Sequence, residues 1–258
     1  MGARTFEFPD VVLVTGAAGV LGSALCEALA ALDVRVIATD RKQSSVLDLP
    51  EQNCISWITA DLELVKDRER IVELVRSRSS GSVGIVHNAS FVGSSELEGW
   101  SGPLVSHSSE TWNRALEVSL TAPFSITRDL TDLLSSTPGS AIVHVSSIYS
   151  SLAPDWSLYE GTGLGNPAAY GVAKAGMEQL TRWLATSLAP NVRVNAVAPG
   201  GLKRGQPQGF IERYEAKVPL RRMGTETDVV DSILFLLSSQ SAYVTGQVLV
   251  VDGGYGLA

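Results

Sequence analysis

The sequence predicts an α/β fold, a doubly wound, seven-stranded parallel sheet with helices on both faces. Three observations point there. Short Val- and Ile-rich runs alternate with longer helix-like segments across all 258 residues. Several of those runs are apolar on both faces, as strands covered on both sides require. No internal repeat, low-complexity tract or linker interrupts the rhythm, so residues 1–258 read as one domain.

The first strand, 11–15 (VVLVT), passes through a glycine turn directly into a helix at 21–32. The second, 34–40 (VRVIATD), and the third, 54–61 (CISWITAD), each end on an acid. A helix at 67–78 leads to strand 83–89 (VGIVHNA), and a long helical stretch at 110–136 leads to strand 141–146 (AIVHVS). Helix 168–188, strand 192–198 (VRVNAVA), helix 227–237 and strand 248–252 (VLVVD) complete the order. Segments 91–109 and 148–167 are long and rich in Gly, Ser and Pro, yet they hold aromatics and carboxylates. Both follow strand C-terminal ends, where open α/β sheets bind ligands. With 200–222 they are the expected substrate loops.

Composition narrows the function classes. A net charge of −7 argues against a broad nucleic-acid footprint, which wants a basic face. Cys26 and Cys54 are too few and too isolated for a disulfide framework or a thiolate site. His87, His107 and His144 show no ligand spacing, so no metal is expected. No run reaches the roughly 18 apolar residues of a membrane span, and residues 1–10 have no apolar leader segment. A cytoplasmic protein acting on a small molecule, without nucleic-acid or membrane partners, is the expectation.

The run Thr15-Gly16-Ala17-Ala18-Gly19-Val20-Leu21-Gly22 joins the first strand to the first helix. Gly16 permits the tight turn, Gly19 lets the backbone approach a pyrophosphate, and Gly22 allows close helix–strand packing. The amides around Ala18, Val20 and Leu21 open a helix N-terminus, a natural seat for phosphates. Asp40 ends the second strand 24 residues after Gly16, placed to bond adenosine ribose hydroxyls and to repel a 2′-phosphate. This is a Rossmann-type dinucleotide site, and NAD is expected over NADP. Arg41 follows, able to stack on adenine or pair with a phosphate.

Tyr170 and Lys174 form the one Tyr-x-x-x-Lys pair in the chain. On a helix such residues stack on one face. A neighbouring ammonium and an oxidised nicotinamide favour the phenolate, which lowers the Tyr170 pKa toward the useful range for a general acid and base. Ser147, at the end of the fifth strand, can hold and polarise a substrate oxygen. No Gly-x-Ser-x-Gly elbow supports hydrolase chemistry.

In this order and spacing, the residues resemble short-chain dehydrogenases/reductases of the short single-domain branch from Val11 to Tyr255. Asp61-Leu62 is similar to the family's adenine-contacting acid, and His87-Asn88-Ala89-Ser90 to its Asn-Asn-Ala-Gly. Ser146-Ser147 resembles the strand end that carries the catalytic serine, and Tyr170 with Lys174 resembles the catalytic pair. Pro199-Gly200, with Leu202 beyond it, is similar to the turn around the nicotinamide, and Thr245-Gly246-Gln247 with Val251-Asp252-Gly253-Gly254 to the C-terminal strand. The resemblance implies an NAD(P)-dependent oxidoreductase interconverting an alcohol and a carbonyl. It also implies that Lys174 bonds the nicotinamide ribose, and that helices 110–136 and 168–188 pack against a second subunit in a dimer or tetramer. Met177, Leu180, Trp183 and Leu184 form an apolar stripe suited to that burial.

Two departures stand out. The Gly-x-x-Gly-x-x-Gly spacing is more like the longer, sugar-nucleotide-modifying branch. Ser119 stands where the family usually has an Asn that helps hold a water linking the catalytic lysine to solvent. The separation of Ser147 and Tyr170 is longer than the family's common one, because 148–167 is enlarged and carries Tyr149, Asp155, Trp156, Tyr159 and Glu160. That run resembles members of flagellin-modification and nonulosonic-sugar pathways, which implies a sugar-derived or other polar substrate. Two other readings stay open: a dinucleotide-binding regulatory or scaffold protein, for which Ser119 speaks, and a reductase of 3-oxoacyl thioesters, against which Asp40 speaks.

Overall fold

The seven apolar runs form strands β1 (Val11–Thr15), β2 (Arg35–Asp40), β3 (Ile55–Thr59), β4 (Val83–His87), β5 (Ser140–Val145), β6 (Val192–Pro199) and β7 (Val248–Val251). A computed structural model describes residues 6–42, 54–92 and 97–257. All pairs are parallel, in the order β3-β2-β1-β4-β5-β6-β7. Val11 of β1 lies opposite both Arg35 and Val83, so the winding reverses between β1 and β4. A crevice opens beyond the strand C-termini at that reversal.

The helices are α1 (Val20–Ala30), α2 (Val65–Arg78), α3 (Ser109–Leu116), α4 (Ala122–Asp129), α5 (Thr131–Ser136), α6 (Ala168–Ser187), α7 (Gln208–Lys217) and α8 (Glu226–Leu237). Alternate residues of β1 feed two cores. Val12 and Val14 meet Leu25 and Leu29 of α1 and Val229, Ile233 and Leu236 of α8. Leu13 belongs to the opposite core, with Ile71 and Val75 of α2, Ile126 of α4 and Leu184 of α6. A third cluster joins Leu158 to Phe210, Ile211, Tyr214, Val218 and Met223 at the C-terminal edge of the sheet.

The chain departs from the expected elements in two places. The stretch read as one helix over 110–136 is divided by a π-helical turn, Glu117–Thr121, and again at Leu130. Pro123 explains the first break, because it has no N–H to give the carbonyl of Ser119. The segment 200–222, read as a loop, contains α7. Phe210, Ile211 and Tyr214 form its buried face, a short apolar pattern screened by the flanking glycines and prolines.

The apolar stripe of α6 also divides. Met177 and Leu184 are buried in the chain's own core, and Trp183 is left exposed, as is Phe124 on α4. His87 and His144 are opposed in β4 and β5, and burial lowers both pKa values. They bond Thr127 (3.1 Å) and Thr181 (2.7 Å), a core role. Among the described residues, no helix is long and apolar enough to cross a membrane.

Candidate active site

A cavity of about 790 Å³ occupies the crevice, running from the ends of β2 and β3, past the glycine turn, to the segments after β5 and β6. Gly16 has φ +68°, and a Cβ there would sit 2.8 Å from the Ala89 backbone. A Cβ on Gly22 would stand 2.1 Å from the carbonyl oxygen of Gly16, so the helix starts directly against the turn. Gly19 caps α1 without a side-chain bond. Gly16, Gly19, Val20 and Leu21 line the cavity; Ala18 and Gly22 lie behind it, as supports.

Ala18 supports the turn by a specific bond. Its N–H donates to Asp40 Oδ2 (3.1 Å), and the Arg41 N–H donates to Asp40 Oδ1 (2.7 Å). These bonds fix the Asp40 carboxylate at the strand end, facing the cavity. The Arg41 side chain lies 4.0 Å from Glu63 and over the Phe91 ring at 5.4 Å. Arg114 reaches the same ring at 5.5 Å and holds Glu63 through two bonds, 2.7 and 3.0 Å, which keep the Glu63 carboxyl below its ordinary range. Asp61 and Leu62 complete this end. Glu63, Phe91 and Arg114 were not legible as site residues, because three separate segments bring them together.

Asn88 ties the crevice shut from below. Its Nδ2 donates to the carbonyls of Thr15 (3.1 Å) and Gly16 (3.0 Å), while the amides of Asn88 and Ala89 bond Thr15 Oγ1. Ser90 Oγ lies 3.0 Å from Ser119 Oγ. Ser90 and Ser119, which stand where the family pattern has Gly and Asn, therefore meet each other. Ser119 itself is buried behind the cavity wall and does not line it. Ser119→Asn alone must fit a longer side chain against Ser90, and Ser90→Gly alone strands the Ser119 hydroxyl. Thermal unfolding should show each single variant less stable and the double variant recovered, with a coupling of about 0.5–3 kcal/mol. Strictly additive losses would show that the two serines act independently.

Ser147, Tyr170 and Lys174 converge on the cavity floor, beside Pro199, Gly200 and Leu202. Ser147 and Tyr170 line the cavity together, and the Ser147 hydroxyl opposes the rise in the phenol's pKa. Lys174 is buried, and its Nζ donates to the carbonyl of Val145 (2.6 Å) and lies 5.7 Å from the Tyr170 ring centroid. Burial brings the Lys174 ammonium down to about 7. For Tyr170 the expectation of a lowered pKa is reversed in the protein alone. Burial raises it, opposed by the Ser147 hydroxyl and the charge of Arg204. The physical reason is desolvation of the phenol, and Lys174, itself desolvated and held to the Val145 carbonyl, is not among the groups that oppose it.

Glu178, one turn beyond Lys174, accepts from Ser146 Oγ (2.9 Å) and from Ser150 Oγ, pinning the chain on both sides of Ser147. Over the floor, Tyr149 and Tyr159 join hydroxyls at 2.9 Å and Asn166 donates to Tyr159 (3.2 Å). Loop 148–167 is tied to α7: Arg213 donates to the carbonyls of Leu158 (2.9 Å) and Glu160 (2.8 Å), and Lys217 pairs with Asp155. Of segment 91–109, only Phe91 and Val92 among the described residues line the cavity. Trp100 instead buries itself and donates to the carbonyl of Val92 (2.7 Å).

Residues 16–256 match the family model described as enoyl-(acyl carrier protein) reductase. The chain belongs to the short-chain dehydrogenase/reductase family. Among solved structures, a short-chain dehydrogenase from Leptospira borgpetersenii with bound NAD+ superposes with a TM-score of 0.85 at 30% identity, over 99% of this chain and 97% of that one. Post-translational flagellin modification protein A of Campylobacter coli is 28% identical over 96% of this chain and 98% of its own length. An uncharacterized short-chain type dehydrogenase/reductase of Sinorhizobium fredii is 30% identical over 99% of this chain, which spans only 45% of that relative. A short-chain dehydrogenase/reductase is an oxidoreductase, and the Rossmann-type sheet is the scaffold these relatives share.

Proposed function

We propose that this oxidoreductase is NAD-dependent and interconverts an alcohol and a carbonyl on a polar, sugar-derived substrate. One observation carries the reading. Tyr170, Ser147 and Lys174 line the same cavity as the glycine turn and Asp40, so one cavity would hold a dinucleotide and the residues able to move a proton. The cradle fits such a group: Gly19 opens α1 at the cavity wall without a side chain over its amides, and the bare Gly16 and Gly22 let the turn pack tightly behind it. The Leptospira relative with bound NAD+ supports the cofactor class.

When bound, NAD+ supplies the hydride acceptor. The chain supplies position and a proton site. In the oxidative direction Ser147 Oγ holds the substrate oxygen and Tyr170 Oη takes its proton; in reduction Tyr170 returns it. Lys174 would hold the nicotinamide ribose and, in its protonated form, favour the phenolate. The hydroxyls of Tyr149 and Tyr159 and the amide of Asn166 suit a substrate with several hydroxyl groups. Steady-state assays of NADH formation against a panel of polyols and sugars test the reaction; no turnover with any alcohol or carbonyl would favour the scaffold reading.

The Asp40 carboxylate, oriented by two amides, carries the choice of cofactor. A fluorescence titration should show NADH bound about tenfold or more tightly than NADPH, the scale of a charged hydrogen bond gained against a phosphate repelled. Asp40→Ala should narrow that gap. Equal or tighter NADPH binding would mean that Arg41 leaves Glu63 for the phosphate. The thioester-reductase reading draws on the description of the matching family model, and Asp40 stands against it. Self-association remains part of the proposal, resting on exposed Phe124 and Trp183.

A further inference from the structure

The charges lining the cavity, among the described residues, are Asp40, Arg41, Asp61, Lys174 and Arg204. Asp40, Arg41 and Asp61 stand at the ends of β2 and β3, and Lys174 is committed to the Val145 carbonyl beneath Tyr170. Among the described residues, Arg204 is therefore the one cation lining the opposite, substrate end, and no carboxylate of those residues lines that end with it.

The loop that presents Arg204 is organised for the purpose. The Arg204 N–H donates to Gln206 Oε1 (2.7 Å), and Gln206 Nε2 donates to the carbonyl of Leu202 (2.7 Å), closing a tight clamp around the residue. Glu226, at the start of α8, accepts from Arg204 Nε (2.9 Å). That bond occupies one edge of the guanidinium and fixes its plane. The two Nη atoms have no partner among the described residues, and the side chain is 35% exposed. A planar fork of this kind matches carboxylate and phosphate oxygens two at a time, and holding it in place beforehand reduces the ordering cost of binding. Its charge is also felt at the Tyr170 phenol, so it stands within electrostatic range of the reacting position.

Building on the alcohol–carbonyl reading, we propose that Arg204 is the specificity residue of the site, seating a compact anionic group, carboxylate or phosphate, on a hydroxyl-bearing substrate. The neutral donors of Tyr149, Tyr159 and Asn166 then take the substrate's hydroxyls, while Ser147 and Tyr170 take the reacting oxygen.

The test uses matched pairs on the whole protein with NADH bound: gluconate against gluconamide for the carboxylate, glucose 6-phosphate against glucose for the phosphate. In at least one pair the anionic member should raise the melting temperature of the complex more than its neutral partner. Where turnover with NAD+ is measurable, its kcat/KM should be higher by about tenfold or more, the scale of a charge-assisted hydrogen-bonded pair. Arg204→Met should remove that preference, chiefly through KM, and Arg204→Lys should restore part of it. A panel in which no anionic member outperforms its neutral partner overturns the proposal, as does an Arg204→Met protein that keeps the preference. Arg204-dependent binding of an anion without oxidation or reduction of any compound would uphold the anion seat and count against the proposed reaction, so the two failures are distinguishable.

Discussion

Tyr170→Phe should lower turnover by about 10²–10⁴-fold, the usual contribution of a positioned acid or base, and leave NAD binding intact. The substitution removes one oxygen and keeps the ring that packs against the sheet core. Ser147→Ala should act in the same direction, because Ser147 lines the same cavity and its hydroxyl lowers the pKa of that phenol. The measurement is kcat with a true substrate alongside a cofactor titration. A Tyr170→Phe enzyme that retained most of its activity would remove Tyr170 from the mechanism and with it the central claim about this site.

Lys174→Met should abolish useful turnover and weaken NAD binding, yet stabilise the cofactor-free protein. Lys174 is buried with a pKa near 7, against 10.5 for the free group. Between those values the unfolded chain holds a proton that the folded chain has given up. Stability of the wild type therefore rises with pH across the window, and the penalty is complete below pH 7. At 1.36 kcal/mol per pKa unit the full penalty is about 5 kcal/mol. The lost bond to Val145 reduces the net gain. Methionine fills much of the volume without the charge. Thermal unfolding should show the variant ahead of the wild type at neutral pH, with its lead shrinking as pH approaches the ordinary lysine range. A variant less stable than the wild type at pH 7 would show that the ammonium is solvated in the folded state.

The sheet was legible because both faces of each central strand are apolar, a pattern that only a covered parallel sheet explains; all seven strands lie within a few residues of the predicted spans. The glycine turn was legible because its spacing is local. What escaped was whatever depends on distant segments meeting. Arg204 was one charge in a Gly- and Pro-rich stretch, and only the folded chain brings it into one cavity with Tyr149 and Asn166. Ser119 read as an isolated substitution until Ser90, from another connection, came within hydrogen-bonding distance. Tyr170 shows the same limit in electrostatics, since a helical spacing brings the lysine near without revealing that the fold buries Lys174 and desolvates the phenol.

The tie between loop 148–167 and α7 makes the two segments a single packing unit. Leu158 is fully buried among the apolar residues of α7, and two of the loop's carbonyls are satisfied by Arg213. Exchanging the loop alone would expose an apolar socket on α7, at about 1.5–3 kcal/mol for a side chain of leucine size, and strand the guanidinium of Arg213. Attempts to redirect this enzyme by grafting a relative's loop therefore have to carry residues 208–217 along with it. A change of substrate range made in 148–167 alone therefore has to be absorbed by α7, while the glycine turn and the Tyr170 helix lie outside that unit.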